Sequence, residues 1–538
     1  MESEQDRESE VVTIRVKKRK IKKTIKKAIK KALTKRCVSG CKMLDRDICS
    51  RSTRCTFVDG MSRKYCRLSG KYKMKQPNCK VVKRSKKAEA AKKIGDFLQM
   101  AVREGPEKKA NYLKAICSDS GVCIAFGNNR KKINHFFGDF NNFSYVDPPI
   151  KRLGNPSNNG FVKEIKYKRN DYLAYAALKS SAAADSDNLA YEYLVGQFIN
   201  KQCQFYPCFL ETYGFFYYKN PAVWKTMRDG VVINSNILPA SLEPGDPTDY
   251  NKMCTSSKYG AVLIQHLKDA RTINDLLKLT GSSLAIMLFY EILYILYQVY
   301  MPLAQLKNNF THYDLHDGNV LVYEPIKGKH IHYHYHIGSG QTVSFKSPYI
   351  AKVIDYGRSY FKYKGTTSQL NSPDIYKKLC DEPECNKGEH CGYDNGFEWM
   401  AGPLSNENFF ICSQFPNMSH DIRLLSSLKG RFDDIKYKVS SLKGKLRTGF
   451  DELHNFLDKV KFGMGIKGNN KVYGTNVNKK MGFPGSINNV VDAERGLREI
   501  ILENQDVYDL NESRYKLADK IGDMHVYVDG EPMRFEPV

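Results

Sequence analysis

Acidic residues are the scarce charge in this sequence: 58 Asp and Glu stand against 85 Lys and Arg over 538 residues, a formal net charge of +27 at pH 7. Such an excess suggests nucleic-acid binding throughout, but it is local. Residues 1–100 hold 31 basic and 10 acidic side chains, so the other 438 residues are nearly balanced. An apolar leader is also missing. The first ten residues, MESEQDRESE, contain five carboxylates where a secretory signal has a basic and then an apolar run, and an intracellular protein is the expectation. Nor is there an unbroken membrane-length apolar run. The nearest approach, residues 284–303, is interrupted by Glu291, Gln298 and four tyrosines, which predicts a buried core helix and no transmembrane segment. What is plentiful is core material: 41% hydrophobic residues, with 34 Tyr and 27 Phe, exclude a mainly disordered chain. The length calls for more than one ordinary domain.

Residues 11–36 carry thirteen basic side chains, with Ile21, Ile25, Ile29 and Leu33 recurring between lysine pairs. As a helix this is a thin apolar stripe on a cationic cylinder. A solvated basic tail and a segment that binds nucleic acid or an anionic membrane surface are the alternatives. No aromatic is interleaved, so base stacking has no support. Residues 37–80 follow with Cys37, Cys41, Cys49, Cys55, Cys66 and Cys79, in a spacing that matches no common zinc finger. So short a stretch cannot build a large core. Zinc, disulfides or unlinked thiols remain the alternatives. Residues 81–144 read as a helical connector broken at Gly105-Pro106.

From Tyr145 the pattern changes. IKRL, FVKEIKY and YLAYAALK form an antiparallel meander with the loop GNPSNNG, then DNLAYEYLVGQFINK reads as a helix, and PCFLETYGFFYY and AVLIQHL as further strands. Beyond Leu267 helical patterns dominate. The fold class expected is α+β, with a small antiparallel sheet lobe at 145–267 and a larger helical lobe at 268–538.

The most specific pattern is FTHYDLHDGNVLVYE, in which His312, Asp314 and Asn319 keep the spacing H-x-D-x-x-x-x-N. It is followed by AKVIDYGRSY, where Asp355-Tyr356-Gly357 ends a β-type run. Together these resemble the catalytic loop and metal-binding segment of the protein kinases. Phosphoryl transfer needs a carboxylate to orient the attacking hydroxyl and oxygen ligands for Mg²⁺. The resemblance implies Asp314 as base, Asn319 and Asp355 as metal ligands, and ATP as cofactor. It also implies a strand lysine and a helix glutamate, for which Lys179 in AYAALKSS and Glu192 in LAYEYLVG are the candidates. The phosphate loop is degenerate: aligned on Gly160 and Val162, its first glycines become Asn155 and Ser157, with Gly154 one place early. Gln265 to Leu267 would offer backbone groups to adenine, or form a plain buried strand. Asp421 in MSHDIRLLSSL resembles the helix aspartate that steadies the catalytic loop, or caps that helix.

Taken together, SDSGVCIAFG, IKRLGNPSNNGFVKEIKY, LAYEYLVGQFIN, PCFLETYGFFYY, HYDLHDGNVLVY and the YCRLSGKYKM ending of the Cys-rich stretch look like the serine/threonine kinases of large nucleocytoplasmic DNA viruses, those of giant viruses and iridoviruses. That resemblance implies transfer to Ser or Thr of protein substrates, in the virion or the infected host-cell cytoplasm. There are departures. Tyr313 replaces the arginine of H-R-D, which implies activity without a phosphorylated activation segment. His316 replaces a phosphate-contacting lysine, and D-L-H-x-G-N also resembles aminoglycoside and choline kinases, so a small-molecule kinase is one alternative. A non-catalytic basic virion scaffold on a kinase fold is the other. Two inserts carry possible ligands. His330, His332, His334 and His336 would share one strand face, as a metal site or a polar hairpin face. Cys380, Cys385, His390 and Cys391 form a second candidate zinc set, around Glu382-Pro383-Glu384, a weak stand-in for A-P-E. Residues beyond about Lys467 are too rich in Gly and Asn to assign.

Overall fold

The computed structural model describes residues 55–59, 64–68, 116–117, 122–154, 160–183, 188–280, 284, 287–338, 340–365, 369–381, 397–400, 408–411, 413–436, 445–461, 485–504, 515 and 519–538. The chain divides into the units Met1–Lys109 and Ala110–Val538. The basic tail lies outside the described residues, and of the Cys-rich stretch an antiparallel hairpin, Cys55–Asp59 with Lys64–Leu68, is described.

The second unit begins differently from the helical connector expected over 81–144. A short strand, Cys123–Ile124, and one helix, Asn129–Phe136, lead into a turn-rich stretch whose Phe137, Phe140 and Phe143 are buried. These aromatics cover one face of a seven-stranded antiparallel sheet. Its central strands are β1 (Ile150–Leu153), β2 (Gly160–Arg169), β3 (Tyr172–Ser181), β4 (Thr212–Tyr218) and β5 (Gly260–Gln265). The order is β4-β5-β3-β2-β1, with short edge strands Leu242–Pro244 beside β4 and Val232–Ile233 beside β1. Both edge strands come from residues 219–259, an insertion between β4 and β5 that the sequence reading did not separate. Strand alternation sends Ala174, Ala176 and Leu178 of β3 into the aromatic layer. The opposite face meets helix α1 (Leu189–Gln202), which starts at Asn188, whose side chain accepts from the Ala190 and Tyr191 backbone N–H groups.

The second half is built on helix α2 (Ile292–Gln305), entered through a π turn at Met287–Glu291. Thirteen of its fourteen residues are buried, the mark of a helix surrounded by core. Among the described residues no helix is long and apolar enough to cross a membrane. The polar interruptions of this segment have internal partners. The Glu291 carboxylate accepts from the Ser347 and Tyr515 hydroxyls, and the Gln298 amide donates to the Tyr349 carbonyl and accepts from the Ala351 N–H. Strands β6 (Val320–Tyr323), β7 (His330–His336), β8 (Thr342–Ser347) and β9 (Ile350–Val353) follow. Helices α3 (Arg423–Lys436), α4 (Lys445–Asp458) and α5 (Val490–Glu503) come next, then strands β10 (Lys520–Tyr527) and β11 (Arg534–Pro537).

The α+β division into a sheet part and a helix-rich part agrees with expectation, with one correction. The second part carries its own four-stranded sheet, ordered β8-β7-β10-β11, in which β7 and β10 run parallel. Two of those strands lie beyond Lys467: β10 pairs with β7, about 190 positions earlier, and β11 pairs with β10. Register is set by the buried face, where Ile331, Tyr333 and Tyr335 pack with Phe345, Met524 and Val526; a slip of one residue would exchange tyrosines for histidines.

Because Glu291 is the shared acceptor for two hydroxyls in the core, Glu291→Ala should lower stability by about 2–4 kcal/mol. A urea unfolding midpoint lower than that of the parent chain is the expected measurement; an unchanged midpoint would contradict the packing described.

Candidate active site

Lys179, Glu192 and Asp355, with the loop that carries Asp314 and Asn319, lie between the sheet part and the helix-rich part. Lys179 lies on the face of β3 opposite Leu178, directly across from Val162 of β2. Its ammonium donates to Glu192 Oε2 at 2.8 Å and to Asp355 Oδ1 at 2.6 Å. Glu192 is buried in the first turn of α1, where the helix dipole favours a carboxylate. Asp355 follows β9 with a left-handed backbone, φ +67°. Burial pushes its carboxyl up, but Lys179, helped by Arg358, outweighs that and holds it below the ordinary carboxylate value.

The loop from His312 to Asn319 is shaped by a buried carboxylate. Asp421 Oδ2 accepts the His312 N–H at 2.8 Å and Oδ1 accepts the Tyr313 N–H at 3.0 Å. Tyr313 is thereby held at φ +64°, a conformation a bulky residue adopts only under constraint. The His312 ring is buried, with Nε2 facing the Ile354 carbonyl at 2.9 Å and Nδ1 accepting from the Asp314 N–H at 3.3 Å. That pattern assigns the neutral Nε2–H tautomer, and burial lowers the pKa of the ring in the same sense. Asn319 Nδ2 donates to the Asp314 carbonyl at 2.8 Å, and the Ile354 N–H donates to the Asn319 carbonyl at 3.0 Å, joining this loop to the segment of Asp355.

Asp314 has a partner that sequence reasoning missed. Arg423, at the start of α3, donates from Nη1 to Asp314 Oδ1 at 2.7 Å. His316 Nε2 stands 3.9 Å from the same oxygen. A basic residue two places after Asp421 was visible in the sequence, but nothing local signals that it returns across 109 positions to the loop. Glu164 of β2 is a second omission. Its carboxylate faces His266 at 3.2 Å and accepts from Lys268 at 2.8 Å, tying β2 to the segment after β5. The His266 contact, aided by Lys268, outweighs burial and holds Glu164 down at about 2.

The expected nucleotide-contacting residues are placed unevenly. The Gln265 N–H donates to the Glu211 carbonyl and the His266 N–H to the Tyr175 carbonyl, so neither N–H is available to a base. The Gln265 N–H is taken because Glu211 docks beside the end of β5. Leu267 is buried. Gly154 has φ +63°, and the loop that follows it, 155–159, lies outside the described residues. Gly160 has a packing reason of its own, since a Cβ there would sit 2.5 Å from the Ser180 carbonyl oxygen. Of the candidate zinc set, Cys385, His390 and Cys391 lie outside the described residues, and Cys380 falls near the end of helix Ser372–Asp381.

Asn319 and Asp355 supply an amide oxygen and a carboxylate oxygen, the hard donors that suit Mg²⁺. Near them stand an ammonium, Lys179, and a loop carboxylate, Asp314: a cation for phosphate oxygens and an acceptor for a hydroxyl proton.

No family model matches the chain, and no curated protein matches it. Among solved structures, the crystal structure of a kinase domain from Plasmodium is similar over 44% of this chain, with 14% identity and a TM-score of 0.23. This chain spans 60% of the length of that kinase domain.

Burial pushes the Asp421 carboxyl up to about 7, against the two backbone donors that favour its charge. The folded state therefore holds this proton more tightly than the unfolded chain does. The resulting stability is complete below the unfolded value and is lost as pH rises through 7. Between pH 5 and 8 the parent chain should lose about 2 kcal/mol relative to Asp421→Asn. Denaturant midpoints of both proteins across that range give the difference, and parallel pH profiles would refute the assignment.

Proposed function

We propose that the chain is an ATP-dependent phosphotransferase of the protein-kinase type, acting on Ser or Thr hydroxyls of proteins. The observation that carries this reading is the Lys179 ammonium bridging Glu192 and Asp355 beside a loop that fixes Asp314 and Asn319. In this reading Lys179 binds phosphate oxygens of ATP, and Glu192 holds the lysine in place. Asn319 and Asp355 hold Mg²⁺, which neutralises phosphate charge when bound. Asp314 accepts the proton of the acceptor hydroxyl as its oxygen forms a bond to the γ-phosphorus. The bond from that phosphorus to the β–γ bridging oxygen breaks, and ADP leaves. His312 positions the loop through the Ile354 carbonyl.

The likeness of the sequence to giant-virus and iridovirus kinases supports protein substrates met in the virion or the infected-cell cytoplasm. A second reading, a small-molecule kinase, is favoured by His316 in D-L-H-x-G-N, whose ring stands 3.9 Å from Asp314.

The test is Mg²⁺-dependent ATP binding and autophosphorylation by the full chain. Asp314→Asn should keep nucleotide binding and lose transfer by about 10²-fold or more. If parent and variant are equally inert while nucleic acid binds residues 1–100, the protein is a scaffold. Transfer to an aminoglycoside or amino alcohol in preference to peptides favours the second reading.

Tyr313 carries no charge, and its hydroxyl donates to the Phe415 carbonyl at 2.7 Å. An arginine at that position would call for an anionic partner; a tyrosine does not. We expect the recombinant chain to be active with no phosphate between Asp355 and Asp421, as read by mass spectrometry of the active protein. Strict dependence on a phosphate in that segment would overturn this.

A further inference from the structure

The parallel pairing of β7 with β10 places His332 across from Asp523, His334 across from His525 and His336 across from Tyr527. All six side chains share one face. The tyrosines of β7 fill the other face, so His332, His334 and His336 face outward by register, while His330, across a register irregularity, is buried.

Three of these residues converge. Asp523 Oδ1 lies 3.1 Å from His334 Nε2 and 3.5 Å from His332 Nδ1. One ligand atom from each residue lies within 4.8 Å of the other two. Each of the three side chains is between 19% and 28% exposed, open enough to admit an ion and enclosed enough to hold the side chains in place. We propose that His332, His334 and Asp523 bind one divalent cation of the zinc class, which clamps the insert strand β7 to β10.

The surroundings are those of a supported ligand set. His334 Nδ1, the ring nitrogen turned away from Asp523, lies 3.1 Å from the Ser344 hydroxyl of β8, an acceptor for Nδ1–H when Nε2 ligates an ion. Lys520 takes the other carboxylate oxygen, with Nζ 2.6 Å from Asp523 Oδ2. That contact leaves Oδ1 turned to the imidazoles. Beyond the three, His336 Nε2 pairs with His525 Nδ1 at 3.0 Å, and the His525 ring stacks on His334.

Two imidazoles and one carboxylate suit zinc and its neighbours rather than Mg²⁺ or Ca²⁺. Three protein ligands leave a fourth position open to water. Neighbours on one strand rarely complete a shell alone, and here Asp523 enters from a different strand. Because β7 and β10 are about 190 residues apart in the chain, a bond between them closes a long loop and should stabilise the folded state when metal is present.

The experiment uses the full chain after exhaustive chelation, titrated with Zn²⁺ and with Co²⁺, beside His334→Gln and Asp523→Asn. The parent should take up one equivalent of Zn²⁺ more than either variant, and Zn²⁺ should raise its melting temperature by more than it raises theirs. Equal uptake by parent and variants that are equally folded without metal would overturn the site and leave a hydrogen-bonded polar face. The parent's Co²⁺ spectrum decides the matter should both variants misfold. An equivalent showing d–d bands without thiolate charge transfer supports the site, and its absence overturns it, since cysteine ligands elsewhere would give thiolate bands.

Discussion

A carboxylate with almost no access to water, that of Asp421, sets the geometry on which the candidate site depends. Taking a carboxyl group out of water is costly unless donors replace the solvent. Here the donors are two consecutive backbone N–H groups, at His312 and Tyr313. Meeting both at once bends the chain into the left-handed conformation at Tyr313, and that bend fixes the direction in which Asp314 leaves the loop. The carboxylate is in turn held from behind, because the Tyr300 hydroxyl of α2 donates to the Asp421 carbonyl at 2.8 Å. The most buried helix of the molecule is thus connected to the loop by two hydrogen-bonded steps.

Lys179 performs the corresponding task between the sheet part and the helical part. Its two partners come from α1 and from the segment after β9, so one ammonium registers three elements. Its side chain is 23% exposed and that of Asp355 36% exposed, so solvent screens the second pair. That second pair therefore adds modestly to stability. What the two pairs supply is position: a lysine held between two carboxylates is placed without needing a nucleotide to order it. Glu164, with His266 and Lys268, repeats the device on a smaller scale where β2 passes the end of β5.

Local pattern was enough to read the sheet. The strands at 150–153, 160–169 and 172–181 show the alternation expected of them, and helix 189–202 begins at a recognisable Asn cap. The spacing of His312, Asp314 and Asn319, and the Asp355 segment, drew attention to residues that the fold brings to one place. Lys179 and Glu192 were found by the same route, one on a strand and one on a helix, at a separation a single sheet-helix unit can span. Elements whose definition is non-local were missed. Strand β10 does alternate, with Met524 and Val526 buried between Asp523, His525 and Tyr527, but nothing local indicates that its parallel partner is an insert far earlier in the chain. The stretch before β1 looked like a connector because its phenylalanines have neither helical nor strand spacing; they are buried because turns aim them at the outer face of the sheet. The partner of the Gln265 N–H is non-local in the same way, since the carbonyl that takes it belongs to Glu211, which no local pattern could nominate.

The distribution of charge around Asp314 follows from the same non-local packing. Tyr313 brings no cation to the loop, and the basic group beside the carboxylate comes instead from α3. Arg423 bonds Oδ1 at 2.7 Å, and His316 faces that same oxygen from 3.9 Å. A guanidinium held to one oxygen removes the rotational freedom of the carboxyl group. If Asp314 is the base, this leaves Oδ2 for the acceptor hydroxyl. On the proposed reading, Arg423 is therefore a positioning residue: it acts through Asp314 and takes no part in the transfer itself. It also stands two residues after Asp421. The turn that shapes the loop backbone and the cation that orients the loop carboxylate thus arrive on one short stretch at the head of α3, and a shift of that helix would disturb both together.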